Sequence, residues 1–479
     1  MDRTSHHETG RSRRLSTGVT LVAVATMALV SDVALRSTSW AAPATPGRAH
    51  DLLFPNASGV LGIAGATGTD LENPFFEDLG TNGRSCVTCH QPAQAWTITP
   101  AELHERFDRT EGLDPIFRVN DGSNCEGADV STVEKRPRAF SLLLAKGLIR
   151  VELDVPPGAE FDIAGVDDPY RCGAGLSSAS MYRRPLPSAN LKFVTAVMWD
   201  GRHSPPGQAI RDGLVKQALD AVTGHAQGAP PSPAQLESIV DFQLGLFAAQ
   251  AVDRSAGLLA QGITRGGTGT LAREAFCIGI NDPLDMLPSM PGACTARSGG
   301  LDPFVFTLFR AWTNAGSAQQ QAIARGEAIF NTRAFVIDNV PGLNGGPDDP
   351  VRRPLLTGTC TVCHDTPNAG NHSVPMALNI GVADASRRTP DMPLYTLRHR
   401  ARGEIVKTTD PGRAMVTGKW NDIGKFKGPV LRALAARPPY FHDGSAATLA
   451  DVITFYDTRF QARFTEQEKA DLLAFLRAL

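Results

Sequence analysis

Apolar residues recur at helical spacing in four stretches. Around residues 232–247, Ser232 can cap a helix, Pro233 suits its first turn, and Leu236, Ile239, Val240 and Phe247 recur on one side. "QQQAIARGEAIFN" (319–331) predicts an amphipathic helix with Ile323, Ile329 and Phe330 together. In "ATLADVITFY" (447–456) Thr448 can cap, and Leu449, Val452, Ile453 and Tyr456 fall at i, i+3, i+4 and i+7. The last fifteen residues, "TEQEKADLLAFLRAL", pair Thr465 with Glu468 as a capping box and bury Leu472, Phe475, Leu476 and Leu479. Residues 251–312 carry Gly-rich turns such as "QGITRGGTGT", and no strand-rich region stands out. The pattern predicts a mainly α chain: a first unit over 70–250, a connecting segment over 251–312, and a second unit over 317–479.

The N-terminus follows a different rule. "RSRR" precedes the apolar "TGVTLVAVATMALV", and "STSWAAPATPG" offers small residues for cleavage. The alternative, a membrane anchor, needs ~20 apolar residues, and the run of about 13 before Asp32 is too short. Residues 1–44 are therefore expected to be a signal peptide, leaving a periplasmic protein without a membrane span. The formal charge of −2, with no like-charge block, gives no reason to expect nucleic acid. Outside the cytoplasm thiols tend to be oxidised or bound. Cys125–Cys172 and Cys277–Cys294 is the simplest of three pairings for four of the eight cysteines.

The other four cysteines carry the chemistry. "CVTCH" (86–90) and "CTVCH" (360–364) repeat one pentad. With 8 Cys and 11 His in 479 residues, chance supplies such a pentad about 0.003 times per chain. A zinc site would place its second cysteine pair 15 to 20 residues on, and here the pairs are 274 apart. A thioredoxin-like pair needs neither the adjacent histidine nor these surroundings. A c-type haem uses every residue: two thioethers from Cys86 and Cys89, or Cys360 and Cys363, and a proximal iron ligand from His90 or His364. Two covalently bound haems c are expected. A helix, a cysteine pair and a closing helix outline a small cytochrome c domain, so two cytochrome c-like haem domains joined by a connecting subdomain is the predicted architecture.

"NGRSCVTCH", "MWDGR" (198–202), "ARGEAIF" and "GKFKGPVLRALAARPPYFHDGSAATLADVITFY" (424–456) together resemble the bacterial di-haem cytochrome c peroxidases and their MauG-like relatives. The resemblance implies that the haem at His90 binds oxidant, that the haem at His364 relays electrons, and that Trp199 lies between them; read alone, Trp199 is equally a packed core aromatic. It also implies a sixth ligand for the second haem from Tyr456, where the peroxidases proper have methionine, with His442 the rival and Met376, Met392 and Met415 further candidates. The family's pocket glutamine is matched loosely by Gln208. Its glutamate has no counterpart at the required distance, leaving Asp220 or His225 to move the proton. His104, the only histidine between the first pentad and Trp199, reads as a surface residue. A family calcium is conceivable but unsupported, Asn190 being the nearest counterpart of its asparagine. The implied function is reduction of hydrogen peroxide with electrons from a small periplasmic cytochrome or copper protein. Two alternatives remain: oxidation of a protein or organic substrate by peroxide or dioxygen, and non-enzymatic electron carriage.

Overall fold

A computed structural model of the chain describes residues 52–65, 71–173, 175–205, 207–282, 294, 301–314, 316–345, 355–374 and 376–479. The expected signal peptide lies outside them. Residues 49–479 form one unit, and no described helix is long and apolar enough to cross a membrane.

The expected helices form, except that the one expected to carry Phe247 ends at Leu244, where Gly245 follows, and Phe247 falls in a strand. Among the described residues, six span eleven residues or more: α1 (Pro100–Thr110), α2 (Ile210–Asp220), α3 (Pro233–Leu244), α4 (Ala318–Thr332), α5 (Leu449–Phe460) and α6 (Glu466–Ala478). Ser232, Ser317, Thr448 and Thr465 each close a reciprocal capping box, satisfying amide donors the first turn leaves orphaned. α4 and α6 pack closely because Gly326 has no side chain: a Cβ there would stand 2.0 Å from the Asp471 carbonyl oxygen. Ile323, Phe330, Leu472, Phe475 and Leu476 fill the resulting core. A second core gathers Phe75, Trp96, Ile239 and Phe242 beside the first pentad.

The mainly α expectation is not borne out: among the described residues 31% are helix and 18% strand. Eleven described strands pair antiparallel. β1 (Leu52–Asn56), β2 (Gly59–Gly65), β6 (Leu246–Asp253) and β7 (Gly257–Leu258) form one sheet in that order. β3 (Ile149–Asp154) pairs with β5 (Ser178–Arg183), and β8 (Phe335–Asp338) with β9 (Leu355–Gly358). β4 (Phe161–Asp167), β10 (Leu394–His399) and β11 (Ile405–Thr408) make a three-stranded sheet ordered β11-β10-β4. These strands hid for a physical reason. They are short, several are Gly- and Ala-rich, and β5 is buried at all six positions, so no polar alternation betrays it. Their partners also lie far off in sequence, as Gly65 opposite Leu246 and Phe161 opposite His399.

Both expected disulfides form, Cys125–Cys172 and Cys277–Cys294, while the four pentad cysteines stay unpaired.

Candidate active site

Each pentad folds as one 3-10 turn, Cys86–Thr88 and Cys360–Val362, that brings the histidine amide back onto the first cysteine's carbonyl at 3.0 Å in both copies. The repetition goes further. His90 Nδ1 lies 2.9 Å from the Trp96 carbonyl oxygen, and His364 Nδ1 lies 2.6 Å from that of Gly370, six residues on in each case. A carbonyl can only accept, so Nδ1 carries the proton and Nε2 keeps its lone pair, as a metal-ligating imidazole requires. Burial lowers both imidazoles to about 4, so they are neutral at pH 7. Burial also pushes the Cys86 and Cys360 thiols up to about 12.

Each pentad faces its own cavity. Cavity 1, about 180 Å³, is lined by Cys86, Cys89 and His90 together with Leu214, Ala218 and Val222. Cavity 2, about 200 Å³, is lined by Cys360, Cys363 and His364 with Leu449, Ile453 and Leu476. Two free thiols and a neutral imidazole opening on an apolar cavity can hold a flat, apolar, metal-bearing group. Trp199 lines both cavities, and its indole N–H donates to the Arg184 carbonyl at 2.8 Å.

The polar residues expected at cavity 1 divide. His225 lines it; Gln208 and Asp220 do not. Gln208 is exposed in the turn before α2, and Asp220, at the C-terminal end of α2, faces outward and pairs with His203 at 3.3 Å. Neither residue therefore stands at the wall of cavity 1. His225 ends a π-helical turn, Ala221–His225, a local widening of the helix found often at functional sites. Its Nδ1 is bonded to Asp121 Oδ2, and Asp121 Oδ1 takes Arg84 Nη1 at 2.5 Å. Burial opposes the Asp121 charge, yet His225 and Arg84 hold the carboxyl below its usual range. Asp121 and Arg84 were missed from sequence. Arg84 stands in the "GRSCVTCH" stretch, but Asp121 sits in a turn ("VNDGSNC") that carries no signal of its own.

At cavity 2, Tyr456 and His442 both line the wall, and the three methionines do not. Tyr456 stands with its ring 6.5 Å from that of His364, and burial raises its phenol well above the ordinary range. His442 is 1% exposed, is stacked on Phe426 at 4.2 Å, and has no hydrogen-bond partner at either ring nitrogen. Met392 and Met415 are buried in other cores. His104 is exposed on α1. Asn190 spends its amide on the backbone of Ala248, and among the described residues no group of three or more His, Cys, Asp or Glu is arranged around a cation.

No family model matches the chain. The cytochrome-c peroxidase IdrP1 of Denitromonas iodatirespirans is 33% identical over 140 residues, covering 25% of this chain and 36% of that protein. The cytochrome c551 peroxidase of Nitrosomonas europaea is 39% identical over 75 residues, 15% of this chain and 22% of the relative. Over these segments the chain is similar to cytochrome c peroxidases. The chain spans about a third of the length of the first of those relatives. A solved MauG-like protein associated with microbial copper homeostasis is similar at 16% identity over 92% of this chain and 95% of its own, with a TM-score of 0.39.

Proposed function

We propose that the chain is an exported, periplasmic di-haem c-type oxidoreductase that reduces hydrogen peroxide with electrons from a small cytochrome or copper protein. In this reading residues 70–250 form the haem domain of cavity 1 and residues 317–479 that of cavity 2, with 251–312 connecting them. The observation that carries it is the duplicated pentad: each copy presents two free thiols and a lone-pair-bearing imidazole to its own apolar cavity, and Trp199 belongs to both walls. Cys86, Cys89 and His90 hold the first group, and Cys360, Cys363 and His364 the second. Haem supplies an iron face for peroxide in cavity 1 and an electron store in cavity 2.

The chain's own residues do the rest. Reduction of peroxide to two waters consumes two electrons and two protons. His225, oriented by Asp121, carries a proton to the departing oxygen, and the Arg84 ion pair holds Asp121 ionised while it does so. Trp199, fixed by its indole hydrogen bond, carries electrons between the cavities. Steady-state oxidation of ferrocytochrome c by peroxide tests the reading, with turnover expected at kcat in the ordinary enzymatic range of about 1–10³ s⁻¹. Haem-loaded protein that consumes no peroxide would overturn it.

A second reading has its own observation in favour: cavity 2 is lined by Tyr456 and His442, with no methionine among its lining residues. An oxygen-donor ligand stabilises ferric iron, which suits oxidation of a protein or organic substrate better than storage at high potential. Replacing Tyr456 by Phe is expected to change the optical spectrum of the second haem alone; an unchanged spectrum removes tyrosine from its coordination.

A further inference from the structure

The two cavities share part of their lining. Trp199, Arg184, Lys427 and Arg437 belong to both walls, and three of these four are cations. The guanidinium of Arg184 donates only to the carbonyls of Lys146, Ile98 and Arg437. Arg437 donates through Nη2 to the carbonyls of Val430 and Arg432, and its buried Nε has no partner. Lys427 is pinned by its backbone, the amide donating to the Trp199 carbonyl at 2.9 Å, so its side chain is carried on the same segment as the shared tryptophan. Among the described residues, no carboxylate pairs with any of the three.

Arg183, one residue before Arg184, is the contrast. It is equally buried and lies between two carboxylates, Asp200 at 2.5 Å and Asp410 at 2.7 Å; burial works against its charge, but the two carboxylates outweigh it and raise its pKa. Arg184, Lys427 and Arg437 go the other way: burial lowers them to about 9, 8 and 10, and Arg437 repels the other two. Three cations held together in an apolar wall, without a counter-charge, are costly unless something else brings the negative charge. The occupant proposed for each cavity does so, because haem carries two carboxylates on one edge of an otherwise apolar plane.

We propose that Arg184, Lys427 and Arg437 form a single anion-binding seam that takes carboxylates from the groups in both cavities and thereby couples the charge state of one to the other. The inference rests on the di-haem reading and goes beyond it, since it assigns the shared wall an electrostatic task besides the relay through Trp199. A nearby cation favours the reduced, more negative form of a redox centre. Loss of one seam cation must therefore lower the potential of both centres, not of one.

Spectroelectrochemical titration of the holoprotein tests this. In Lys427→Gln both haems are expected to become harder to reduce, each by about tenfold in the reduction equilibrium, about 59 mV for a one-electron couple. Lys427→Arg should return both to the wild-type values. If Lys427→Gln does not mature, Arg437→Gln carries the same expectation. A shift confined to one haem, or none while both haems are bound, overturns the seam and leaves the di-haem reading intact; wild-type protein without haem overturns that reading itself. A third arm separates the source of the anion. Wild-type potentials that differ between chloride and sulfate at equal ionic strength would show the seam filled from solution and overturn the assignment to porphyrin carboxylates.

Discussion

The sharpest chemistry in the molecule is a histidine held by a buried aspartate. His225 reaches cavity 1 from a single π turn, and Asp121 fixes which ring nitrogen bears the proton. Removing the imidazole with His225→Ala is expected to lower kcat for peroxide by about 10²–10⁴, the usual worth of a positioned acid–base group. Asp121→Asn should lower it less while leaving the haem spectra in place, since it perturbs the orienting partner and spares the imidazole. Stopped-flow mixing with peroxide distinguishes these outcomes. Equal activity in wild type and His225→Ala would mean that another group, or water, delivers the proton. Much of this was illegible from sequence: the pentads announce themselves by spacing, whereas Asp121, 32 residues after Cys89, acquires meaning only when its turn is folded against one that follows α2.

At the scale of elements, α4 carries a carboxylate with a structural task. Glu327 Oε2 accepts from the amides of Leu308 and Phe309 at 2.7 and 2.9 Å, tying the segment before α4 to the helix, while Oε1 has no partner. Burial raises its carboxyl from 4.5 to about 7, only partly offset by those two amides. The folded state thus holds a proton that the unfolded chain releases. That contribution is complete below pH 4.5 and is lost as pH rises through 7, up to about 3 kcal/mol. Urea midpoints for wild type and Glu327→Gln should diverge over that interval, wild type losing ground as pH rises; a gap independent of pH would show that Glu327 titrates like an exposed carboxylate. The helices that frame the cavities were readable because capping boxes and apolar stripes are local. Strands such as β2, β5 and β10 were not: β5 alternates nothing, and β2 and β10 find partners near residues 250 and 165 that no local pattern specifies.

Across the whole molecule, Arg183 ties distant segments together beside the inter-cavity wall. From the end of β5 it pairs with Asp200, next to Trp199, and with Asp410, just after β11. Arg183→Met leaves Asp410 buried without its cation and is expected to cost about 3–5 kcal/mol of stability by urea unfolding, against below 1 for a surface pair. A loss under 1 kcal/mol would show that the network is relieved by water. The arrangement around it is two similar cavities meeting at one tryptophan and a band of cations, so one wall is common to both, as the proposed di-haem enzyme would use it. Its foundation is stoichiometric. Intact mass combined with haemochrome absorbance on protein expressed with a cytochrome maturation system should give two haems per chain, falling to one in Cys86→Ala/Cys89→Ala and to one in Cys360→Ala/Cys363→Ala. A colourless protein, or a count that does not drop by one for each pentad removed, would contradict a haem in each cavity.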